Sequence, residues 1–211
     1  MVDSQVRPSD VTDLRIIDAM LAVPREAFVP ESQRLLAYLD LDLDVSEGAS
    51  AKRFLIKPVV TAKMLQAADI KDTDNVLVAG CATGYTAAVA AKLARRVTAT
   101  DSDPALAAKA RDILTQLGLG NVTVVVAAAA EGYPANVPYD VIVLNGATEV
   151  APDELCGQLG EGGRLVGVFA TTQPPRAMIV TRSPGDFGYR TLFDAVVPVL
   201  PGLERLPTFV F

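Results

Sequence analysis

One stretch of ten residues, from Val76 to Tyr85, constrains this chain more than any other part of it. It reads VLVAGCATGY, so that an apolar segment runs into a turn of small residues. Helix-forming residues follow over 87–93, and a second apolar segment, 97–100, ends at Asp101. Buried apolar segments that alternate with helices are typical of a parallel sheet covered on both faces. The stretch therefore predicts a strand–loop–helix–strand unit in an α/β protein.

The loop of this unit has the composition of a backbone that approaches a ligand closely. Gly80 and Gly84 permit backbone conformations that other residues avoid, and Asp101 stands where an acid accepts hydrogen bonds from ribose hydroxyls. The frame Gly80-x-Ala82-x-Gly84 is a G-x-G-x-G pattern without its middle glycine. It fits the S-adenosylmethionine loop of class I methyltransferases better than the G-x-G-x-x-G dinucleotide fingerprint. The alternative is that these glycines only permit tight packing of strand against helix.

Composition excludes several classes of function. The 211 residues include no histidine, which removes histidine bases, triads and metal ligands together. A net charge of −6 argues against a nucleic-acid partner. The first residues are polar and no apolar run reaches membrane-spanning length, so we expect a cytoplasmic protein with no membrane partner. We expect no disulfide between Cys81 and Cys156 and no metal site.

The rest of the pattern predicts a mainly parallel sheet of seven strands. Helices are expected over 13–21, 58–68 and 104–117 and from 152, strands over 122–126, 141–144 and 164–169, and a hairpin of 177–181 with 191–197. The predicted fold class is α/β, a Rossmann-like class I S-adenosylmethionine-dependent methyltransferase sheet with a terminal antiparallel hairpin. We expect a single domain, with a helical N-terminal extension over 1–70 and the core over 71–211.

An alternation of leucine and aspartate over 39–45 has the period of a strand with one acidic face. Asp40, Asp42 and Asp44 are therefore either a cation site or a solvated strand face. We favour the solvated face, because no further cluster of ligands is visible in the sequence.

A set of short motifs, spread over about residues 5–200, occurs in the order found in one known family. They are Val23–Pro30, Asn121-Val122, Gly132–Pro134, Pro138–Asp140, Gln158-Leu159, Gly162–Val166 and Thr191–Asp194. In these motifs the chain resembles the protein-L-isoaspartate O-methyltransferases, as a divergent member. The resemblance implies S-adenosylmethionine as cofactor, an isoaspartyl carboxylate of a protein or peptide as methyl acceptor, and a role in protein repair.

The chain departs from the family pattern at residues that, in the family, bind the substrate and the cofactor. Aligned on Pro58, Ile56 stands where the family has its active-site serine, and Phe54 replaces a threonine. Val78 replaces an acid before the loop, and Ala128 replaces the aspartate that receives the adenine amino group. Isoleucine and alanine side chains form no hydrogen bonds. We therefore expect weakened cofactor binding and very weak or absent isoaspartyl methylation, unless Ser50 or a backbone N–H holds the substrate.

The resemblance and the loop together predict the cofactor contacts, with no residue assigned to catalysis. They are Ala79, Gly80, Cys81, Gly84, Tyr85, Asp101, Ser102 and Ala128. Three of these have a structural alternative. Tyr85 is equally well explained as a packed aromatic, and Cys81 is better explained as a small buried hydrophobe. For Asp101 the alternative is a helix cap or a solvated strand-tip acid, and the ligand role is favoured.

Three functions stay open at this point: an isoaspartyl methyltransferase, a methyltransferase with a different acceptor, and a non-catalytic protein with weakened cofactor binding on the same fold. The sequence leaves the oligomeric state open.

Overall fold

Seven strands form the central sheet of the computed structural model, which describes residues 1–49 and 51–206. A separate two-stranded ribbon precedes the sheet and pairs β1 (Leu43–Asp44) with β2 (Phe54–Leu55). The sheet consists of β3 (Asn75–Ala79), β4 (Arg96–Asp101), β5 (Val122–Val126), β6 (Tyr139–Thr148), β7 (Leu159–Phe169), β8 (Arg176–Ser183) and β9 (Asp186–Asp194). Its spatial order is β5-β4-β3-β6-β7-β8-β9.

The first five of these strands run parallel, and β8 and β9 add an antiparallel hairpin at one edge. Every residue of β3 is buried, as expected for a central parallel strand covered on both faces. The predicted α/β class, with its terminal hairpin, is confirmed.

In the described residues, five α-helices connect or cover the strands. They are α1 (Leu14–Ala22), α2 (Pro58–Ala68), α3 (Tyr85–Ala91), α4 (Pro104–Gln116) and α5 (Asp153–Gly157). Short helical turns lie at Val2–Val6, Arg7–Ser9, Arg25–Phe28, Glu31–Leu36 and Pro134–Asn136. Asp103 caps α4 by accepting the N–H groups of Ala105 and Leu106, and proline at the first position fits the start of both α2 and α4. Among the described residues, no helix has the length and apolarity needed to cross a bilayer.

Alternate residues of each central strand face two separate apolar cores. Val76 and Val78 belong to the core that contains α1 to α4, whereas Leu77 and Ala79 belong to the core that contains α5. This alternation follows from the two-residue period of a strand. It places the N-terminal extension on one face of the sheet, next to the loop that follows β3.

The prediction of a strand over 39–45 is wrong, since only Leu43–Asp44 pairs. Asp40 and Asp42 instead accept the N–H groups of Val59 and Lys57, at 3.1 and 2.9 Å. These N–H groups lie at the start of α2, where no side chain of the N-cap residue serves them. Within the described part of the chain, no group of three or more acids, histidines or cysteines could hold a metal ion. The two aspartates therefore cap a helix.

The chain leaves the hairpin at Asp194, earlier than the predicted end at 197. Residues 195–203, which we call the strap, then pass over the carboxyl end of β6. The N–H of Ala147 donates to the carbonyl of Pro198 at 2.8 Å, and the N–H of Leu200 donates to the carbonyl of Ala147 at 2.9 Å. The strap therefore lies where open α/β sheets bind their ligands.

Replacing both capping aspartates, Asp40→Ala with Asp42→Ala, should lower the free energy of unfolding by about 1–2 kcal/mol, because the first N–H groups of α2 lose their acceptors. Urea denaturation measures this change. Asp18→Ala, on the exposed face of α1, is the control and should stay within about 0.5 kcal/mol of the parent. Equal stabilities for the two variants would show that the caps contribute nothing.

Candidate functional site

The loop after β3 has the backbone conformation that its glycines predict. Gly80 and Gly84 both have positive φ, +70° and +98°, which other residues adopt at a cost. A Cβ on Gly84 would stand 3.3 Å from the side chains of Ala110 and Leu114. Gly84 is therefore needed for the close packing of the loop against α4.

Asp101 ends β4 and is completely buried. Its carboxylate accepts the N–H of Ala82 at 2.9 Å and the N–H of Asp103 at 3.0 Å. Burial raises the pKa of the Asp101 carboxyl above its ordinary value, against the lowering effect of the Asp103 N–H and of a nearby cation. Asp101 thus joins the loop after β3 to the beginning of α4.

The cation beside Asp101 is Arg53, from the N-terminal extension. Its Nε lies 3.1 and 3.3 Å from the two oxygens of Asp101, and its Nη2 lies 2.6 Å from the hydroxyl oxygen of Ser102. The side chains of Arg53 and Asp101 are 4% and 0% exposed, so the ion pair is shielded from water. Sequence reasoning missed Arg53, although it directly precedes Phe54 in the segment that aligns on Pro58.

Asn145, near the end of β6, is a second residue that the sequence did not reveal. Its Nδ2 donates to the carbonyl of Gly80 at 3.0 Å, and its Oδ1 accepts the hydroxyl of Thr86 at 2.7 Å. An asparagine placed directly after the apolar run 141–144 was the available signal. Through these two bonds, Asn145 fixes the position of the loop after β3 relative to β6.

Tyr85 points toward the N-terminal extension. Its ring packs edge-on against Phe28, with centroids 5.6 Å apart, and the Arg25 guanidinium lies 4.5 Å from its centroid. Cys81 is also fully buried, and burial, followed by the charge of Asp101, raises the pKa of its thiol. Packing explains both side chains, and their role as cofactor contacts stays a prediction.

The other predicted contacts lie around the same end of the sheet. Ala79 is the last residue of β3 and is buried. Ser102 is exposed and bonded to Arg53, and Ala128 is half-buried in the turn after β5. The carbonyl of Ala128 accepts two N–H groups of the same turn, and its methyl side chain offers no hydrogen bond to an adenine. Their roles also stay predictions.

The cleft formed by these residues is filled by the chain itself. Leu200 of the strap is 4% exposed and packs against Gly80 and Gly146. In the described part of the chain, the cavity between Arg53, Ile56 and the strap has a volume of about 10 Å³. Ligand pockets for cofactor-sized molecules measure about 300–1,000 Å³. An S-adenosyl ligand therefore does not fit between Arg53, Ile56 and the strap in this conformation.

Comparisons of the sequence with known proteins agree on one family. The sequence matches the profile of protein-L-isoaspartate(D-aspartate) O-methyltransferase over residues 2–187. It is 37% identical over 206 residues to the protein-L-isoaspartate O-methyltransferase of Rhodopseudomonas palustris, covering 97% of this chain and 93% of the relative. It is 38% identical over 166 residues to the enzyme of the same name from Methanoculleus marisnigri, covering 79% and 74%.

Solved structures share the fold. A protein-L-isoaspartate O-methyltransferase superposes with a TM-score of 0.83 at 24% identity, over 93% of this chain and 64% of that protein's chain. A putative protein-L-isoaspartate O-methyltransferase from Plasmodium falciparum, in complex with S-adenosyl-L-homocysteine, gives 0.77 at 16% identity and covers 92% and 94%. At these identities the likeness establishes the architecture.

The Arg53→Met variant should lose about 3–5 kcal/mol of unfolding free energy, because it leaves the Asp101 charge buried without a partner. Adding Asp101→Asn should restore part of that loss. Chemical denaturation of both variants and the parent measures the coupling.

Arg164→Met is the matched control, since Arg164 pairs with Asp74 at 3.0 Å in a more exposed setting at the opposite end of the sheet. The loss of unfolding free energy in Arg164→Met should be clearly smaller than in Arg53→Met. A loss below about 1 kcal/mol for Arg53→Met would mean that the pair is no more than a surface ion pair.

Proposed function

The chain belongs to the protein-L-isoaspartate O-methyltransferase family, and on that basis we propose that it methylates a carboxyl group of a protein or peptide. S-adenosylmethionine is the methyl donor of this family. The family match over residues 2–187 is the observation that carries the proposal. The proposal extends to protein repair in the cytoplasm, in keeping with two buried cysteines that form no disulfide.

Three residues at the carboxyl end of the sheet support an S-adenosyl site there. Gly80 and Gly84 keep the loop geometry, and Asp101 keeps its place at the end of β4. A site with no histidine is compatible with methyl transfer, because the methyl donor carries its own leaving group and positioning supplies much of the rate. The filled cleft means that the activity requires a conformation other than this closed one.

The isoaspartyl carboxylate is the acceptor implied by the family, but the group expected to orient it is missing. Ile56 is 1% exposed, and its side chain borders the small cavity beside Arg53. Its carbonyl accepts a hydrogen bond from the Arg25 guanidinium at 2.8 Å, and a carbonyl cannot donate to a substrate carboxylate. Ser50, the alternative hydroxyl, lies outside the described residues. We therefore propose weak isoaspartyl methylation at most, or a different carboxylate acceptor.

A second candidate is a non-catalytic protein on the methyltransferase fold. The observation that favours it is the 10 Å³ cavity where a cofactor cleft is expected. The apolar residues Val78 and Ala128 also favour a non-catalytic protein, because each replaces an acid of the family pattern and so removes a charged hydrogen bond. Such a bond typically contributes about 1.5–3 kcal/mol.

Methyl transfer to a synthetic isoaspartyl peptide, with labelled S-adenosylmethionine, tests the first candidate. We expect turnover at least about a hundredfold below that of the Rhodopseudomonas palustris relative, because an acceptor misplaced by about 1 Å loses that much rate. A peptide of the same sequence with ordinary aspartate is the control. Turnover equal to that of the relative would refute the expected defect.

Ile56→Ser combined with Ala128→Asp should raise isoaspartyl turnover above the parent, because the pair returns one hydroxyl and one acid of the family pattern. The matched control is Ile56→Ala with Ala128→Leu, which changes the size of both side chains without restoring a hydrogen-bonding group. If the first pair gains nothing over the second, the acceptor is a different one or the chain is non-catalytic.

A further inference from the structure

We propose that the cofactor cleft of this chain is closed by two of its own parts: the Arg53 guanidinium on Asp101, and the strap over Gly80. This inference rests on the proposed function, because it takes the ends of β3 and β4 to be the family's S-adenosyl site. It adds a regulatory property to that site. The closed conformation excludes the cofactor, and only a conformation without both contacts admits it.

Arg53 takes the place that a ribose needs on Asp101. A ribose reaches such an acid through its hydroxyl donors. In this chain the Nε–H of Arg53 faces both carboxylate oxygens at 3.1 and 3.3 Å, and the N–H groups of Ala82 and Asp103 take one further position on each. A carboxylate has about four lone-pair positions, so these three N–H donors leave about one, whereas the two hydroxyls of a ribose need two. A ribose can therefore bind Asp101 only after Arg53 has left.

Leu200 takes the space that the loop glycine leaves open. A Cβ on Gly80 would stand 2.5 Å from Leu200 Cδ2, and a Cβ on Gly146 would stand 2.8 Å from Leu200 Cγ. Both distances are shorter than any real contact, so Leu200 sits there only because both positions are glycine. A glycine loop normally lets a ligand approach its backbone closely, and in this chain a leucine of the same chain occupies that space.

Backbone hydrogen bonds fix the strap along the end of β6. The N–H of Ala147 donates to Pro198, the N–H of Leu200 donates to Ala147, and the N–H of Glu149 donates to Leu203, at 2.8, 2.9 and 2.8 Å. Val199 forms a parallel bridge to Ala147 in the same region. The strap is thus held along the end of β6 by backbone hydrogen bonds of the kind found in a sheet, and its Leu200 side chain covers Gly80.

The apolar character of the cleft suits this closure. Leu200 and Leu203 belong to the same buried cluster as Ala79 and Ala129. Residues 127–130 are all alanine, so this part of the turn after β5 has no polar side chain that would lose its water when the strap covers it. The substitution that weakens cofactor recognition at Ala128 therefore also removes a penalty against closure.

Closure lowers the affinity for the cofactor by a calculable factor. The apparent dissociation constant equals the intrinsic one divided by the fraction of molecules that are open. If about 1% of molecules are open, binding is about a hundredfold weaker than in an open cleft.

Calorimetric titration with S-adenosylhomocysteine tests the closure. We expect the parent protein to show no saturation below about 1 mM, and the variant Arg53→Ala with Leu200→Gln to bind at least about tenfold more tightly. The glutamine amide finds no partner in the apolar groove and drives the strap out, while the alanine frees Asp101. Adding Asp101→Ala to this variant should remove the gain, which places the ligand at the ribose acid.

Arg164→Ala with Leu206→Gln is the matched control, because it makes the same types of change outside the cleft. Leu206 is 85% exposed and lies shortly after the strap. The control should bind as the parent does. Micromolar binding by the parent, or a folded double variant that binds no more tightly than the parent, would overturn the closure. Tight binding by the double variant without any methyl transfer would instead overturn the proposed function and leave the closure standing.

Hydrogen exchange on the unmodified protein gives a test that does not depend on any variant folding. The amides of Leu200 and Glu149 donate to the strap contacts, so in a closed cleft they should exchange much more slowly than amides of an unstructured peptide. Exchange at the unstructured rate would show that the strap is open in solution and would also overturn the proposal.

Discussion

The buried ion pair between Arg53 and Asp101 fixes the geometry of the whole carboxyl end of the sheet. Two charges removed from water are tolerable only together, since either one alone would be buried without compensation. Arg53 directly precedes β2 in the N-terminal extension, and Asp101 ends β4 while holding the N–H of Ala82 in the loop after β3. One contact therefore joins the N-terminal extension, the loop after β3 and the end of β4.

Two residues to which the family relation assigns a role in cofactor binding already make contacts within the folded chain. Asp101 and Gly80 are the groups through which a member of this family would be expected to hold its cofactor, and in this chain both are in contact with the chain itself. Groups that form internal contacts contribute to folding stability, and a ligand must compete with those contacts before it gains its own. The fold that this chain shares with methyltransferases therefore does not by itself determine how tightly the cofactor binds. The affinity depends on the fraction of molecules in which Arg53 has left Asp101 and Leu200 has left Gly80.

Local patterns were enough to predict the sheet and most of its helices. The apolar run before Gly80, proline at the start of α2 and α4, and the cap at Asp103 are read from neighbouring residues, and the structure has each of them as predicted. The contacts that close the cleft could not be predicted in this way. Arg53 meets Asp101 across 48 positions of the sequence, and Leu200 meets Gly80 only because the strap crosses the sheet. The same holds for Asp40 and Asp42, whose alternation with leucine resembles a strand until the position of α2 is known.

A crystal structure grown with about 1 mM S-adenosylhomocysteine is the most direct measurement of the closed cleft. A closed cleft predicts that Arg53 Nε stays within hydrogen-bond distance of both Asp101 oxygens, that Leu200 stays on Gly80, and that no ligand lies between them. A ligand seated on the loop after β3, with its ribose on Asp101 and with Arg53 and Leu200 displaced, would contradict the account.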